Sequence, residues 1–102
     1  MKKKNYFAYL IDQFYKVLCL FEEKNLGLTT FIDSLSYEIY GLQYRVKNNE
    51  SRVIIDSLLN ILEHLYDDSL QAEYDLKVIK REIFHCTSLV EKMRDKEFGD
   101  QK

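Results

Sequence analysis

Glu82-Ile83-Phe84-His85 carries the Glu-x-x-His spacing that sets a carboxylate and an imidazole one helical turn apart, as helix bundles use to hold paired iron ions. A complete site of that kind needs a second such motif and two further carboxylates, all turned toward the core. This chain has a single copy, and both of its polar residues lie off the apolar seam of their segment. His64 and Asp68 stand four apart on one helical face, but two ligands do not make a metal site. Cys19 and Cys86 are isolated, with no Cys-x-x-Cys pair, so neither zinc nor a disulfide framework is indicated. Cys86 falls on an apolar stripe and reads as a small core residue, whereas Cys19 lies off the apolar face of its segment. Gly27, Gly41 and Gly99 are too scattered to cradle a phosphate, and no strained nucleophile elbow occurs. Carboxylates doing acid–base work need burial to raise their pKa, and the acids here fall on polar faces. The chain therefore reads as no enzyme, with no cofactor and no metal.

What remains is a surface. Tyr37, Tyr40 and Tyr44 recur at the three-and-four spacing of one helical face, with Asp33 in register before them. With Ile32 at zero on a wheel of about 100° per residue, the apolar residues of this segment cluster at roughly 300–360° and the tyrosines at roughly 80–140°. The tyrosines thus lie opposite the core. Two explanations are open: packing against the first helix or the N-terminal arm, or an exposed stripe that binds a partner. Gly41 sits beside the stripe, where a mid-helix glycine costs about 1 kcal/mol relative to alanine. Asp56, Asn60, Glu63 and Asp67 repeat the same spacing on the next segment, again opposite its apolar stripe. From Val53 to Leu76 there are six acids and neither Lys nor Arg. A one-sign patch beside aromatics would attract a basic partner and then hold it.

Four helical segments must position these residues. The first is predicted over Tyr6 to Lys24, with Phe7, Leu10, Ile11, Phe14, Val17, Leu18 and Phe21 facing inward. Gly27 is expected to close it in the left-handed conformation, and Thr30 with Asp33 to form a capping box for the second. That second helix is predicted over Phe31 to Lys47, on a core stripe of Ile32, Leu35, Ile39, Leu42 and Val46 with Phe31 flanking it. A third follows the Lys47–Ser51 turn, over Arg52 to Tyr66, with Ile54, Ile55, Leu58, Ile61, Leu62 and Leu65 inward. Asp67-Asp68-Ser69 would oppose the dipole at a helix C-terminus, so they are read as the N-caps of the fourth helix. The seam of that helix is Ala72, Leu76, Ile79, Ile83, Cys86, Val90 and Met93. Frayed ends are expected at residues 1–5 and 96–102. The fold class is all-α, an antiparallel four-helix bundle in a single domain.

Composition agrees and narrows the partners. The chain has 102 residues, no proline and no tryptophan, and a formal net charge of −2, which opposes direct nucleic-acid binding. A helix-turn-helix regulator would want a basic recognition helix, yet the third segment is acidic and the fourth carries only Lys77, Lys80 and Arg81. Asp12, Gln13 and Lys16 interrupt the apolar run behind Lys2-Lys3-Lys4, so no secretory signal is read. No run reaches the roughly 20 apolar residues of a membrane span. The expectation is a cytoplasmic protein, monomeric when free, that binds another protein and neither nucleic acid nor membrane.

The stretch "VLCLFEEKNLGLTTFIDSLSYEIYGLQYRV", followed by "IIDSLLNILEHLYDD", joins a helix, a glycine-containing turn, a Thr-led helix with Phe near its start and an acidic third helix. This pattern resembles the small all-helical immunity proteins of bacterial toxins, those of contact-dependent growth inhibition systems and of nuclease-type colicins such as colicin D. The resemblance covers roughly Val17 to Asp68 and assigns no residue a role. It implies a bacterial cytoplasmic protein that binds a cognate toxin, often a basic nuclease domain, and blocks its active site. A second class of function stays open: a structural or regulatory module that self-associates through the tyrosine stripe.

Overall fold

The computed structural model describes residues 3–98, with side chains from Asn5 onward. Four helices, α1 (Lys3–Glu23), α2 (Leu28–Leu42), α3 (Asn49–Ser69) and α4 (Leu76–Phe98), form an antiparallel bundle of 46 × 23 × 21 Å. No strand occurs among the described residues. Short connections force each helix to run back along its predecessor. The helices pack in a ring: α1 on α4 and α2 on α3 most extensively, then α3 on α4, with α1 on α2 the thinnest junction. No helix among the described residues is long and apolar enough to cross a membrane.

The core follows the apolar spacing. Phe14, Phe21, Leu10, Ile32, Ile39, Leu58, Leu62, Leu65, Ile83 and Met93 are fully enclosed, and Cys86 lies among them. Ile11 and Ile61, expected inside, are half-buried at the rim. Every buried side-chain nitrogen or oxygen among the described residues has a hydrogen-bond partner.

Helix ends depart from expectation, each for a visible reason. Lys24, not Gly27, takes the left-handed conformation (φ 52°) after α1. The Lys24 amide donates to the Phe21 carbonyl and the Asn25 amide to the Leu20 carbonyl, the paired bonds of a Schellman closure. Gly27 instead stands at the N-cap of α2 with φ −84°, and Asn25 Oδ1 accepts its amide at 2.7 Å. Thr30 is therefore already inside α2 and caps nothing. At its other end α2 stops at Leu42, five residues early, but the turn that follows keeps Val46 in the core.

Asp67, Asp68 and Ser69 extend α3 and do not begin α4. The Ser69 hydroxyl donates to the Tyr66 carbonyl and lies 2.9 Å from Thr29 Oγ1, which ties the end of α3 to the start of α2. Asp75 takes the cap role, accepting the Lys77 amide at 2.9 Å. Ala72 and Leu76 are consequently exposed, and Tyr74 covers that end of the core. Its ring meets Phe21 edge-on at 5.0 Å and its hydroxyl donates to the Phe21 carbonyl. Of the expected frayed ends, 3–5 and 96–98 are helical; residues 1–2 and 99–102 lie outside the described part. The Glu97 carboxylate accepts the amides of Lys47 and Asn48 and the hydroxyl of buried Ser51, placing an anion at the N-terminus of α3. Asn48 Oδ1 adds the local cap, accepting the Glu50 amide.

Candidate partner-binding face between α2 and α3

The polarity of α2 is set by what holds its back. Tyr6 and Tyr9 of α1 donate to the two oxygens of Glu38, at 2.8 and 3.4 Å. Burial, and then the Glu38 carboxylate accepting its proton, pushes the Tyr6 phenol well above the usual tyrosine range. This cluster lies in the α1–α2 junction, on a face of α2 roughly 100–160° from Tyr37, Tyr40 and Tyr44, so α1 does not cover the tyrosines. They are instead turned outward, 72, 51 and 76% exposed. Tyr44 stands in the turn just beyond α2, its amide donating to the Gly41 carbonyl, and its ring meets Tyr40 edge-on at 6.2 Å.

Across the junction, α3 brings Glu63 to the same side. Two shallow concavities, of about 300 and 290 Å³, lie along the α2–α3 line. One is lined by Asp33, Ser36, Tyr37, Tyr40 and Leu59, the other by Asp33, Ser36, Leu59, Glu63 and Tyr66. Their three shared residues make them one continuous groove, with Tyr37 and Tyr40 toward one end and Glu63 and Tyr66 toward the other. The fold thus joins Asp33, Tyr37, Tyr40 and Glu63 in one lining. Tyr44, Asp56, Asn60 and Asp67 are exposed but line neither concavity, so they are flanking residues.

Leu59 and Tyr66, both half-buried, form the α3 wall of the groove and were missed by the sequence reading. A signal for them exists: on the α3 wheel with Leu58 at zero they fall at roughly 80–100°, between the core stripe and the acids. Residues on that flank face the neighbouring helix and form the sides of any groove beside it.

The other chemical groups lie elsewhere. Glu82 is half-buried, contrary to the expectation that every acid sits on a polar face, and His85 is exposed. Burial first, then Asp68, raises the Glu82 carboxyl, with His64 opposing. Among the described residues no three His, Cys, Asp or Glu side chains are placed to hold a metal ion. Burial pushes the Cys86 thiol up to about 12, while Cys19 is exposed. At the end of the bundle where α1 begins and α2 and α4 finish, Tyr6, Phe7, Leu42, Arg45, Val46, Glu97 and Phe98 enclose an apolar hollow of about 270 Å³. Its carboxylate is the one already committed to capping α3.

The α2–α3 face therefore sets exposed aromatic area beside acidic side chains. No family model matches the chain, and neither a curated protein nor a solved structure does.

Proposed function

We propose that the protein is an immunity protein, which binds a cognate bacterial toxin and neutralises it by occluding the active site of a basic nuclease domain. The observation that supports this reading is one groove that joins exposed Tyr37 and Tyr40 of α2 with Glu63 of α3, flanked by exposed Tyr44, Asp56 and Asp67. A nuclease grips phosphates with Lys and Arg, so its active-site cleft is the cationic surface to which such a face is complementary. Asp56, Glu63 and Asp67 supply attraction at a distance, and Tyr37, Tyr40 and Tyr44 supply contact once docked. The inhibitor works in the bacterial cytoplasm, as a monomer until it meets the toxin, and touches neither nucleic acid nor membrane itself.

The test is co-expression with the product of the neighbouring gene, which the reading expects to carry a toxic nuclease domain. Restored growth, a one-to-one complex by light scattering and loss of both on combined Tyr37→Ala and Tyr40→Ala substitution are expected. Replacing Asp56, Glu63 and Asp67 by their amides should lower the association rate and flatten its salt dependence, while Tyr40→Ala alone should mainly speed dissociation. A stable homodimer of the isolated protein that Tyr40→Ala breaks would overturn the reading in favour of a self-associating module.

A further inference from the structure

Gly41 has no explanation inside the molecule. It lies in the last turn of α2 with an ordinary negative φ, so no left-handed turn demands it. A Cβ built on its backbone meets nothing within 4 Å, so neither α1 nor α3 crowds it. Glycine nevertheless weakens the helix that carries it. Its surroundings are not neutral: Tyr37 lies one turn before it, Tyr40 precedes it, and Tyr44 donates its amide to the Gly41 carbonyl. All three rings are exposed. The missing side chain leaves room for a Cβ, and hence a notch one side chain deep, between the first and last rings of the stripe.

We propose that Gly41 is the point where a cationic helix of the partner comes down onto α2. Its backbone seats in the notch between Tyr37 and Tyr44, and its Lys and Arg side chains reach Asp33 and Glu63. This rests on the reading of the face as a site for a basic protein. From Asp33 to Gly41 the stripe runs about 12 Å along α2, or roughly two helical turns, and Tyr44 follows in the turn. That is a straight track suited to a helix, and the spacing between packed helices is set by the bulk of side chains at their point of contact. Charge selects the occupant, because the groove lining holds Asp33 and Glu63 and no Lys or Arg.

The experiment titrates the isotope-labelled protein with two synthetic amphipathic helices of about 18 residues, five turns, one of Leu and Lys and one of Leu and Glu. The Leu/Lys peptide should shift the amides of Tyr40, Gly41, Tyr44 and Leu59 saturably, and the Leu/Glu peptide should not. Gly41→Leu should weaken the Leu/Lys peptide by about tenfold and Gly41→Ala by less, while both variants melt no lower than wild type. If Gly41→Leu binds as tightly as wild type while the Asp56/Glu63/Asp67 amide variant binds more weakly, the notch is refuted and the cationic-partner reading stands. If the amide variant also binds like wild type, or the Leu/Glu peptide binds equally well, both fail. A lower melting temperature for Gly41→Ala would show that the fold itself requires the glycine, and would overturn the proposal.

Discussion

Aromatic residues are used in opposite ways at the two most extensive helix junctions. Where α1 meets α4, rings pair across the junction: Phe7 with Phe98 at 5.9 Å, Tyr15 with Phe84 at 6.2 Å, and Phe21 with Tyr74 of the preceding loop at 5.0 Å, all edge-on. Where α2 meets α3, the nearest comparable pair is Tyr40 with Tyr44, both from the α2 side, and α3 faces them with Leu59, Tyr66 and Glu63 without a ring pair across the junction among the described residues. An edge-on pair joining two elements stabilises beyond the area it buries and fixes their register. Rings without a partner across the junction add no such tie between elements. Phe21 belongs to the structure and Tyr37 to the surface, although sequence spacing alone describes both as aromatics on a helix.

The largest effect expected from this contrast is at Phe21, which is fully enclosed. Phe21→Ala should cost about 3–5 kcal/mol, read by chemical denaturation, because it leaves a cavity and strips Tyr74 of its ring partner. Tyr74→Phe should be milder. It keeps the ring pair but removes the 2.7 Å bond to the Phe21 carbonyl, for a loss of about 1 kcal/mol. A null result at Phe21 would break the comparison, since the α1–α4 side would then be no more dependent on its aromatics than the α2–α3 side.

How much of this was legible in the sequence differs by level. Four helices and nearly the whole core follow from the three-and-four spacing, because burying one face is what holds each helix in place. Boundaries were less legible, since they depend on partners remote in sequence. Ser69 ends α3 against Thr29 of α2, and Glu97 of α4 caps α3 at Asn48 and Ser51. Local capping preferences for Asp67-Asp68-Ser69 lost to those tertiary contacts. The outward direction of the tyrosines was legible from the wheel. Their exposure was not, because it depends on where α1 packs, and only the Tyr6–Tyr9–Glu38 contacts show α1 on a different face of α2.

A third, smaller effect sharpens the comparison from the α3–α4 side, where Glu82 is half-buried near Asp68. Its folded-state pKa is raised, so between the ordinary glutamate value and the folded one the native state binds more protons than the unfolded chain. Stability therefore falls as pH rises through that window. Glu82→Gln should remove the penalty and make the protein slightly more stable at pH 7, by less than about 1 kcal/mol given the partial exposure. The advantage should vanish below about pH 4, where the wild-type carboxyl is protonated in both states. Thermal melts of the two proteins at several pH values check this, and a wild-type advantage at pH 7 would show Glu82 to be a stabilising charge.

The smallest expected effect decides the most. Tyr37→Ala and Tyr40→Ala should each change folding stability by no more than about 0.5 kcal/mol, the range of exposed positions that touch no special feature. Tyr37 is 72% exposed and makes no ring contact across the α2–α3 junction. Tyr40 keeps half its surface in solvent and pairs only with Tyr44 on its own side. Alanine is also the better helix former, which offsets part of whatever packing is lost. Chemical denaturation of both variants beside Phe21→Ala places the three on one scale. Near-zero values for the tyrosines against a large loss at Phe21 would leave the stripe free for a partner. A cost of several kcal/mol at either tyrosine would make it part of the fold, and the α2–α3 face would then lose the contact area on which its proposed role depends.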